Sequence, residues 1–196
     1  MKKIKKLVSI GLAVGTILSM LALTGCGEKN ESENPADQQF AKSSSQQNDS
    51  DTIKSRVTSA DSTARAIRDT INTWSADNII AGGTQISDGT ITVIADNGNV
   101  TVSPEPTKSD KNPSSLKETF EDDYASHTFW AKVFIDSDGK CVYTIYVDSF
   151  TSVNEDELPT KSDFENGTFA WKDEEHIGMT RSGLIVGTIP KLMIKK

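Results

Sequence analysis

The sequence predicts an α+β fold, in which a long amphipathic helix packs on an antiparallel sheet built from hairpins. Three observations support this prediction. Apolar residues recur every three or four positions across residues 52–81, as on one face of a helix. An Asn97-Gly98 pair then separates two short runs of β-branched residues, and residues 128–147 alternate between apolar and polar side chains. One helix followed by hairpins is typical of the α+β class.

The predicted long helix depends on a single apolar stripe. Its members are Ile53, Val57, Ala60, Ala64, Ile67, Ile71 and Trp74, with alternating spacings of four and three residues. Residues 49–51 offer polar N-caps, and Gly82-Gly83 ends the pattern. The stripe could pair with a second chain as a coiled coil. We expect it to pack on the chain's own sheet instead, because strand patterns follow at once and two alanines allow a close approach.

A first hairpin and a short helix are predicted next. Residues 91–94 and 100–102 are the strands, and the Asn-Gly pair is their turn. After a polar loop over residues 104–113, Ser115 and Glu118 form a capping-box pattern. The apolar residues that follow, Leu116, Phe120 and Tyr124, lie on one helical face, which predicts a short helix packed against the domain.

A second hairpin is predicted over residues 128–135 and 140–147, joined through residues 136–139. The alternation sorts the side chains into two faces. The core-facing candidates are Phe129, Ala131, Val133 and Ile135 in the first strand and Cys141, Tyr143, Ile145 and Val147 in the second. Trp130, Phe134 and Tyr146 are expected on the opposite face, either covered by another segment or exposed as a contact patch.

The C-terminal part is predicted to be broken into short pieces. Residues 151–163 are acidic and loop-like, and Thr160 with Asp163 can start one helical turn. Residues 169–171 and 184–186 are predicted short strands, separated by glycines and Pro190. Together these elements predict one α+β domain over residues 52–196, which is long enough to bury a core.

The N-terminus has the organisation of a secretion signal. Residues 1–6 carry four lysines, and residues 7–23 are an uncharged apolar run. A membrane-spanning helix is the alternative interpretation, because this run approaches the length that crosses a bilayer. The next motif, Leu23-Thr24-Gly25-Cys26, resembles the lipobox of bacterial lipoproteins.

That resemblance implies that residues 1–25 are a lipoprotein signal peptide and that Cys26 becomes the lipidated N-terminus. Cys26 would carry a diacylglyceryl group, and in many bacteria a third acyl chain such as palmitate. Two or three acyl chains anchor a protein stably. The expected location is therefore the extracytoplasmic face of the cell membrane. Residues 26–51, rich in Ser, Gln, Asn and acidic side chains, are predicted to form a disordered tether.

Charge excludes several classes of partner. The chain has 21 basic and 28 acidic residues, a formal net charge of −7, and removal of the four N-terminal lysines would lower it to −11. A nucleic-acid partner is not expected, since phosphate neutralisation needs clustered Lys and Arg. Adhesion to anionic lipid by charge alone is disfavoured for the same reason.

No catalytic, metal or cofactor site is predicted. Asp136-Ser137-Asp138-Gly139 does not fit the twelve-residue calcium loop and is interpreted as a hairpin turn. His127, His176 and Cys141 show no short ligand spacing. A small hydrolase with paired carboxylates stays open, because such pairs are defined by geometry.

Two functional hypotheses are favoured over the hydrolase hypothesis. In the first, the head of the lipoprotein is a monomeric, non-enzymatic module that contacts an envelope protein or polymer at the cell surface. In the second, the head binds a sugar or peptide by stacking on Trp130, Tyr146 and Trp171, the ligand-contact candidates. The order of elements, a helix with the run 64–71 followed by an antiparallel meander, is also similar to the head of type IV pilins and pseudopilins. This chain has a lipobox in place of the prepilin leader.

The lipoprotein assignment makes a direct prediction. Cys26→Ser should abolish fatty-acid incorporation, because a hydroxyl cannot replace the thiol that forms the thioether. Metabolic labelling with a fatty acid measures this, and Cys141→Ser, at the other cysteine of the chain, should retain the label. Label kept at the wild-type level by Cys26→Ser would contradict the assignment.

Overall fold

The computed structural model describes residues 35–149 and 153–196, and the side chains of its first helix from Asp49 onward. The predicted signal peptide, the lipobox and Cys26 therefore lie outside the described residues. The described part is an α+β domain with a long N-terminal helix followed by a five-stranded antiparallel sheet. The predicted fold class is confirmed.

The helices are α1 (Pro35–Ile80), α2 (Leu116–Tyr124) and α3 (Lys161–Asn166), with a short 3₁₀ turn at Glu155–Glu157. The strands are β1 (Gly89–Asp96), β2 (Asn99–Ser103), β3 (Thr128–Ile135), β4 (Cys141–Val147), β5 (Thr168–Phe169), β6 (Val186–Ile189) and β7 (Met193–Ile194). The main sheet has the order β2-β1-β3-β4-β6, and β5 and β7 form a separate parallel pair.

Helix α1 lays its predicted stripe on the sheet. Six of the seven stripe residues, from Val57 to Trp74, are buried, while Ile53 is half-buried. The helix packs mainly on β4 and β6, so the chain's own sheet covers the stripe, as predicted. The helix starts at Pro35 and thus includes the later part of the predicted tether. Among its described side chains, the first to pack against the core is Ile53, next to the predicted domain start.

The closest approach between helix and sheet lies at Ala60 and Gly187. A Cβ atom on Gly187 would lie 2.2 Å from the carbonyl carbon and oxygen of Ala60, so the helix backbone rests directly on β6. Beside this contact, Oδ1 of Asp61 accepts a hydrogen bond of 2.9 Å from the backbone N–H of Thr188. The small stripe residue Ala60 therefore serves the close packing that the sequence predicts.

The first hairpin and α2 form as predicted. Asn97 and Gly98 both have positive φ, 46° and 99°, which is the conformation of a two-residue type I′ turn. At the start of α2, the N–H of Glu118 donates to Ser115 Oγ at 3.1 Å, and the N–H of Ser115 donates to Glu118 Oε2 at 2.7 Å. This is the predicted capping box, and the three predicted apolar residues of α2 are buried.

The second hairpin forms, but its predicted facing is wrong in β4. Phe134 pairs with Tyr143, whereas Ile135 pairs with Cys141, so Val142 is an extra residue and the register shifts. A one-residue shift moves every following side chain to the other face. Tyr143, Ile145 and Val147 therefore lie on the outer face of the sheet and Tyr146 lies on the helix face, so the predicted sides of these four residues are corrected. Cys141, before the bulge, and Trp130 and Phe134 in β3 lie on their predicted sides.

The outer face of the sheet carries a second core. Trp130, Ile145 and Val147 pack there against the C-terminal segment, residues 153–196. The covering residues include Leu158, Phe164, Trp171 and Leu192. Helix α3 begins at Lys161, with Thr160 as its N-cap and Asp163 as the capping-box partner, at the predicted position. The Thr160 N–H donates to Asp163 Oδ2 at 2.8 Å. The sheet is thus covered on one face by α1 and α2 and over much of the other by this segment.

The Gly187 contact can be tested by adding one methyl group. Gly187→Ala should lower the free energy of unfolding by about 3 kcal/mol or more, the upper end of the cost of overpacking, because backbone atoms of α1 cannot rotate away. Urea unfolding measures the loss. The control is Gly183→Ala, where φ is +91° and a Cβ would meet no atom within 4 Å. Its cost should be limited to roughly 1–2 kcal/mol of backbone strain. Equal costs would contradict the proposed close contact.

The Asp61 hydrogen bond makes a second stability prediction. Asp61→Ala should cost about 1–3 kcal/mol, because it leaves the Thr188 N–H without its acceptor. Asp61→Asn should cost less, since an amide oxygen can still accept. Asp69→Ala, at an exposed aspartate elsewhere on α1, is the control and should change stability by less than about 0.5 kcal/mol.

The same carboxyl predicts a pH effect. Burial raises the pKa of Asp61 above its ordinary value. The hydrogen bond from the Thr188 N–H and the nearby Lys191 both lower this pKa, but burial has the larger effect. The folded protein therefore holds this proton more tightly than the unfolded chain does. The contribution of Asp61 to stability should fall as pH rises from about 4 through the raised pKa. The difference between wild type and Asp61→Asn in urea melts across this range isolates the effect, and a pH-independent difference would exclude it.

Candidate functional site

The predicted ligand-contact residues do not form one exposed surface. Trp130 is 4% exposed and Trp171 is 3% exposed, both within the second core. The indole N–H of Trp171 donates to the carbonyl oxygen of Leu192 at 3.2 Å, so its polar atom is also used internally. Tyr146 lies on the opposite face of the sheet, next to Phe129. The expectation of an exposed stacking surface built from these three residues is therefore corrected.

The histidines and the second cysteine lie on three different elements of the fold. His127 follows α2 and contacts the ring of Tyr124, whereas His176 Nδ1 lies 2.5 Å from Asp173 Oδ1 in a C-terminal loop. Cys141 is buried, and burial raises the pKa of its thiol to about 12. Within residues 35–149 and 153–196, no group of three or more His, Cys, Asp or Glu side chains is placed to hold a metal ion.

The segment 136–139 is a hairpin turn, as interpreted. Asp136 Oδ1 accepts hydrogen bonds from the N–H groups of Asp138 at 3.0 Å and Lys140 at 2.9 Å. Because this carboxylate accepts hydrogen bonds from the backbone N–H groups of the turn, local structure explains the residues that resemble a calcium loop.

Exposed apolar side chains gather at the C-terminal end of α1. Ile79 is 47% exposed and Ile80 is 84% exposed, and Met193 is the other large apolar residue among the described ones that is so open. Beside Ile79 runs a groove of about 560 Å³ between α1 and the β3–β4 turn, which we call the helix-end groove. Its lining includes Arg68, Ala76, Ile79, Asp138, Lys140 and Val142.

Two loops are fastened to this end of the helix by Asn78, which is 1% exposed. Its Nδ2 donates to the carbonyl oxygens of Thr84 at 3.2 Å and Thr107 at 3.1 Å, and its Oδ1 accepts from the Ser109 N–H at 2.7 Å. These bonds join the segment after α1 to the segment after β2. The sequence reasoning missed this role, although a polar Asn in the last turn before Gly82-Gly83 is a usable signal for it.

The two loops enclose a second cavity, which we call the isoleucine pocket. It has a volume of about 270 Å³, with the buried residues Ile86, Ile91 and Ile135 among its lining. Asp88 comes from the loop before β1, and Glu105 from the loop after β2. Pro104 and Pro106 flank Glu105 in the same wall.

Glu105 is held in place by the start of α2. Its Oε1 accepts a hydrogen bond of 3.0 Å from the backbone N–H of Lys117. Burial raises the pKa of Glu105 above its ordinary value, while the N–H groups of Lys117 and Leu116 act in the opposite direction. The carboxyl group is therefore positioned at the pocket by a helix terminus rather than by an ion pair.

Gln85 lines both cavities and separates them. Its side chain packs over Gly139, where a Cβ atom would lie 2.5 Å from it, so the β3–β4 turn supports it. The groove and the pocket thus adjoin at the end of the domain where α1 finishes. This end is the candidate functional site.

Comparison with known proteins finds no matching family model, no similar characterised protein and no similar solved structure. Among the described residues, no helix combines the length and the apolar character that crossing a membrane requires.

Proposed function

We propose that this chain is a bacterial surface lipoprotein, anchored through Cys26 on the extracytoplasmic face of the cell membrane, whose α+β head makes non-enzymatic contacts with an envelope protein or polymer. The anchor rests on the basic start, the apolar run and the Leu23-Thr24-Gly25-Cys26 motif. The type IV pilin likeness remains a hypothesis about the head, and the proposal does not depend on it.

The observation that carries the contact role is the position of Ile79 and Ile80. Helix α1 has 46 residues, which at about 1.5 Å per residue gives a length of roughly 70 Å. Cys26 precedes the start of this helix, and the two exposed isoleucines lie at its other end. An anchored chain would therefore present its exposed apolar residues on the side away from its attachment point.

The helix-end groove suits a polypeptide partner. It is open along three turns of α1, from Arg68 to Ile79, and it combines apolar lining with Arg68, Lys140 and Asp138. Apolar surface together with charged side chains is common at protein contacts. Ile79 is part of this lining and Ile80 follows it in the chain, and neighbouring exposed apolar residues of this kind are a feature of interaction surfaces.

The ligand-stacking alternative loses its support, because Trp130 and Trp171 are buried. The hydrolase alternative requires two carboxylates in one cleft. Asp88 and Glu105 line one pocket, but Glu105 already accepts a hydrogen bond from α2, which accounts for its position without catalysis.

The contact proposal is tested by placing a photoreactive amino acid at position 80 of the full chain in intact cells. We expect a discrete crosslinked product that is lost when Ile79 is also changed to Asp. Position 58, where Thr58 is exposed near the middle of α1, is the control and should not give this product. The same product from both positions, or none from position 80, would exclude the C-terminal end of α1 as the contact surface.

A further inference from the structure

Another groove, with a volume of about 410 Å³, runs between α1 and α2, and we call it the α1–α2 groove. Asp69, Thr73 and Asp77 follow one another at four-residue intervals along its α1 side, and Asp123 lines it from α2. No lysine, arginine or histidine is among its lining residues. The groove therefore presents only negative charges to an occupant.

Apolar surface lies between these carboxylates. Ala66 and Pro113 line the groove and are exposed, and Trp74 lies beneath with 4% exposure. The indole N–H of Trp74 donates to the carbonyl oxygen of Ser114 at 3.0 Å, so this polar atom already has its partner. The α1–α2 groove is therefore suited to a segment that carries cationic side chains on either side of an apolar one.

The C-terminus of the same chain is a segment of this kind. Met193, in β7, is 58% exposed. Lys191 and Lys195 are exposed as well, whereas Leu192 is buried and Ile194 is half-buried. Because successive side chains of an extended strand point to opposite sides, the two lysines and Met193 share one side. We call this side the basic strand face.

The spacing of the charges is the same on both surfaces. Asp69 and Asp77 are eight residues apart on α1, which is about 12 Å along the helix axis. Lys191 and Lys195 are four residues apart in an extended segment, which is about 13 Å. In the part of the chain that the structure describes, Asp77 and Lys195 form no ion pair. Both lysines can therefore meet both aspartates at once, with Met193 over the middle of the groove.

The internal ion pairs of the other two residues are weak competitors. Asp69 lies 3.1 Å from Arg68, and Lys191 lies 3.7 Å from Asp61, with the Lys191 side chain 58% exposed. Exposed pairs of this kind contribute little to stability, so they can be exchanged for pairs with a partner. The net negative charge of the chain is screened beyond about 8 Å at physiological salt. Local charge pairs therefore decide the contact.

We propose that the basic strand face of one copy of this chain docks in the α1–α2 groove of a second copy. The groove and the strand are different surfaces of the chain, so each copy uses its groove for one neighbour and its strand for another. Such a heterologous contact builds rings or open rows of copies rather than two-fold dimers. This self-association goes beyond the proposed contact at the helix-end groove and does not depend on the lipid anchor.

The test is disulfide crosslinking of the purified full chain at physiological salt. All copies carry Cys26→Ser, so that the remaining native thiol is the buried Cys141. One preparation carries Thr73→Cys and another, with a tag that changes its mass, carries Met193→Cys. We expect oxidation of the mixture to give a dimer with one copy of each. Thr58→Cys, at another exposed threonine of α1, replaces Thr73→Cys in the control and should give little product.

A chain that carries both new cysteines tests the heterologous character of the contact. It should give a ladder of dimers, trimers and longer products, because each copy can be linked to two neighbours. An isologous contact would stop at dimers.

Charge reversal tests the pairing itself. Asp69→Lys with Asp77→Lys on the groove copy should remove most of the crosslinked product, and so should Lys191→Glu with Lys195→Glu on the strand copy. Mixing the two reversed copies should restore the product, because opposite charges then meet again. A variant that had lost its fold would not be rescued in this way, and thermal melts check the fold of each copy directly.

The proposal is overturned if the mixed dimer does not form, if the Thr58→Cys control gives the same yield, if the doubly substituted chain stops at dimers, or if the reversed copies do not restore the product. A basic segment of another protein would then be the remaining occupant of the groove. Ile80 is not among the lining residues of the α1–α2 groove, so crosslinking at position 80 reports on a different surface. The two proposals therefore fail separately.

Discussion

The arrangement of this domain depends on the direct contact between the backbone of α1 at Ala60 and strand β6 at Gly187. Neither residue has a side chain larger than a methyl group, so helix and strand approach until backbone atoms touch. Asp61 then binds the Thr188 N–H, and the Val186 N–H donates to the carbonyl oxygen of Gly178 at 2.8 Å. These bonds use N–H groups on the outer edge of the sheet, which would otherwise be open to pairing with another chain.

This contact also decides where the C-terminal end of α1 lies relative to the sheet. Once the helix is fixed on β6 and β4, Ile67 and Ile71 of its stripe pack in one core with residues of β1 and β3. Its last turn then lies next to the loops after α1 and after β2. The buried side chain of Asn78 forms hydrogen bonds with backbone groups of both loops. The exposed Ile79 and Ile80, the helix-end groove and the isoleucine pocket therefore all derive their location from the seating of one helix.

Local sequence signals predicted most of the elements and few of the site residues. The Asn97-Gly98 turn and the Ser115 capping box involve neighbours in sequence, so their residue types define them. The predicted facing of the β4 side chains was wrong because the bulge at Val142 moves every later residue to the other side of the sheet. A bulge cannot be recognised from an alternating pattern of apolar and polar residues. The sequence left the exposure of Trp130 open, and the ligand-stacking hypothesis assumed the wrong alternative, because that exposure depends on a segment that follows Trp130 by many residues.

By itself the sequence determined the fold class, the helical stripe, the turns and the acidic character of the chain, because periodicity, capping and charge are properties of short segments or of composition. Only the tertiary structure decided that both faces of the sheet carry a core and that Asp88 and Glu105 line one pocket with three isoleucines. Asp88 and Glu105 come from two loops that are separated in the sequence by β1 and β2. They meet because the hairpin folds β2 back along β1, and because Asn78 binds both loops to the end of α1.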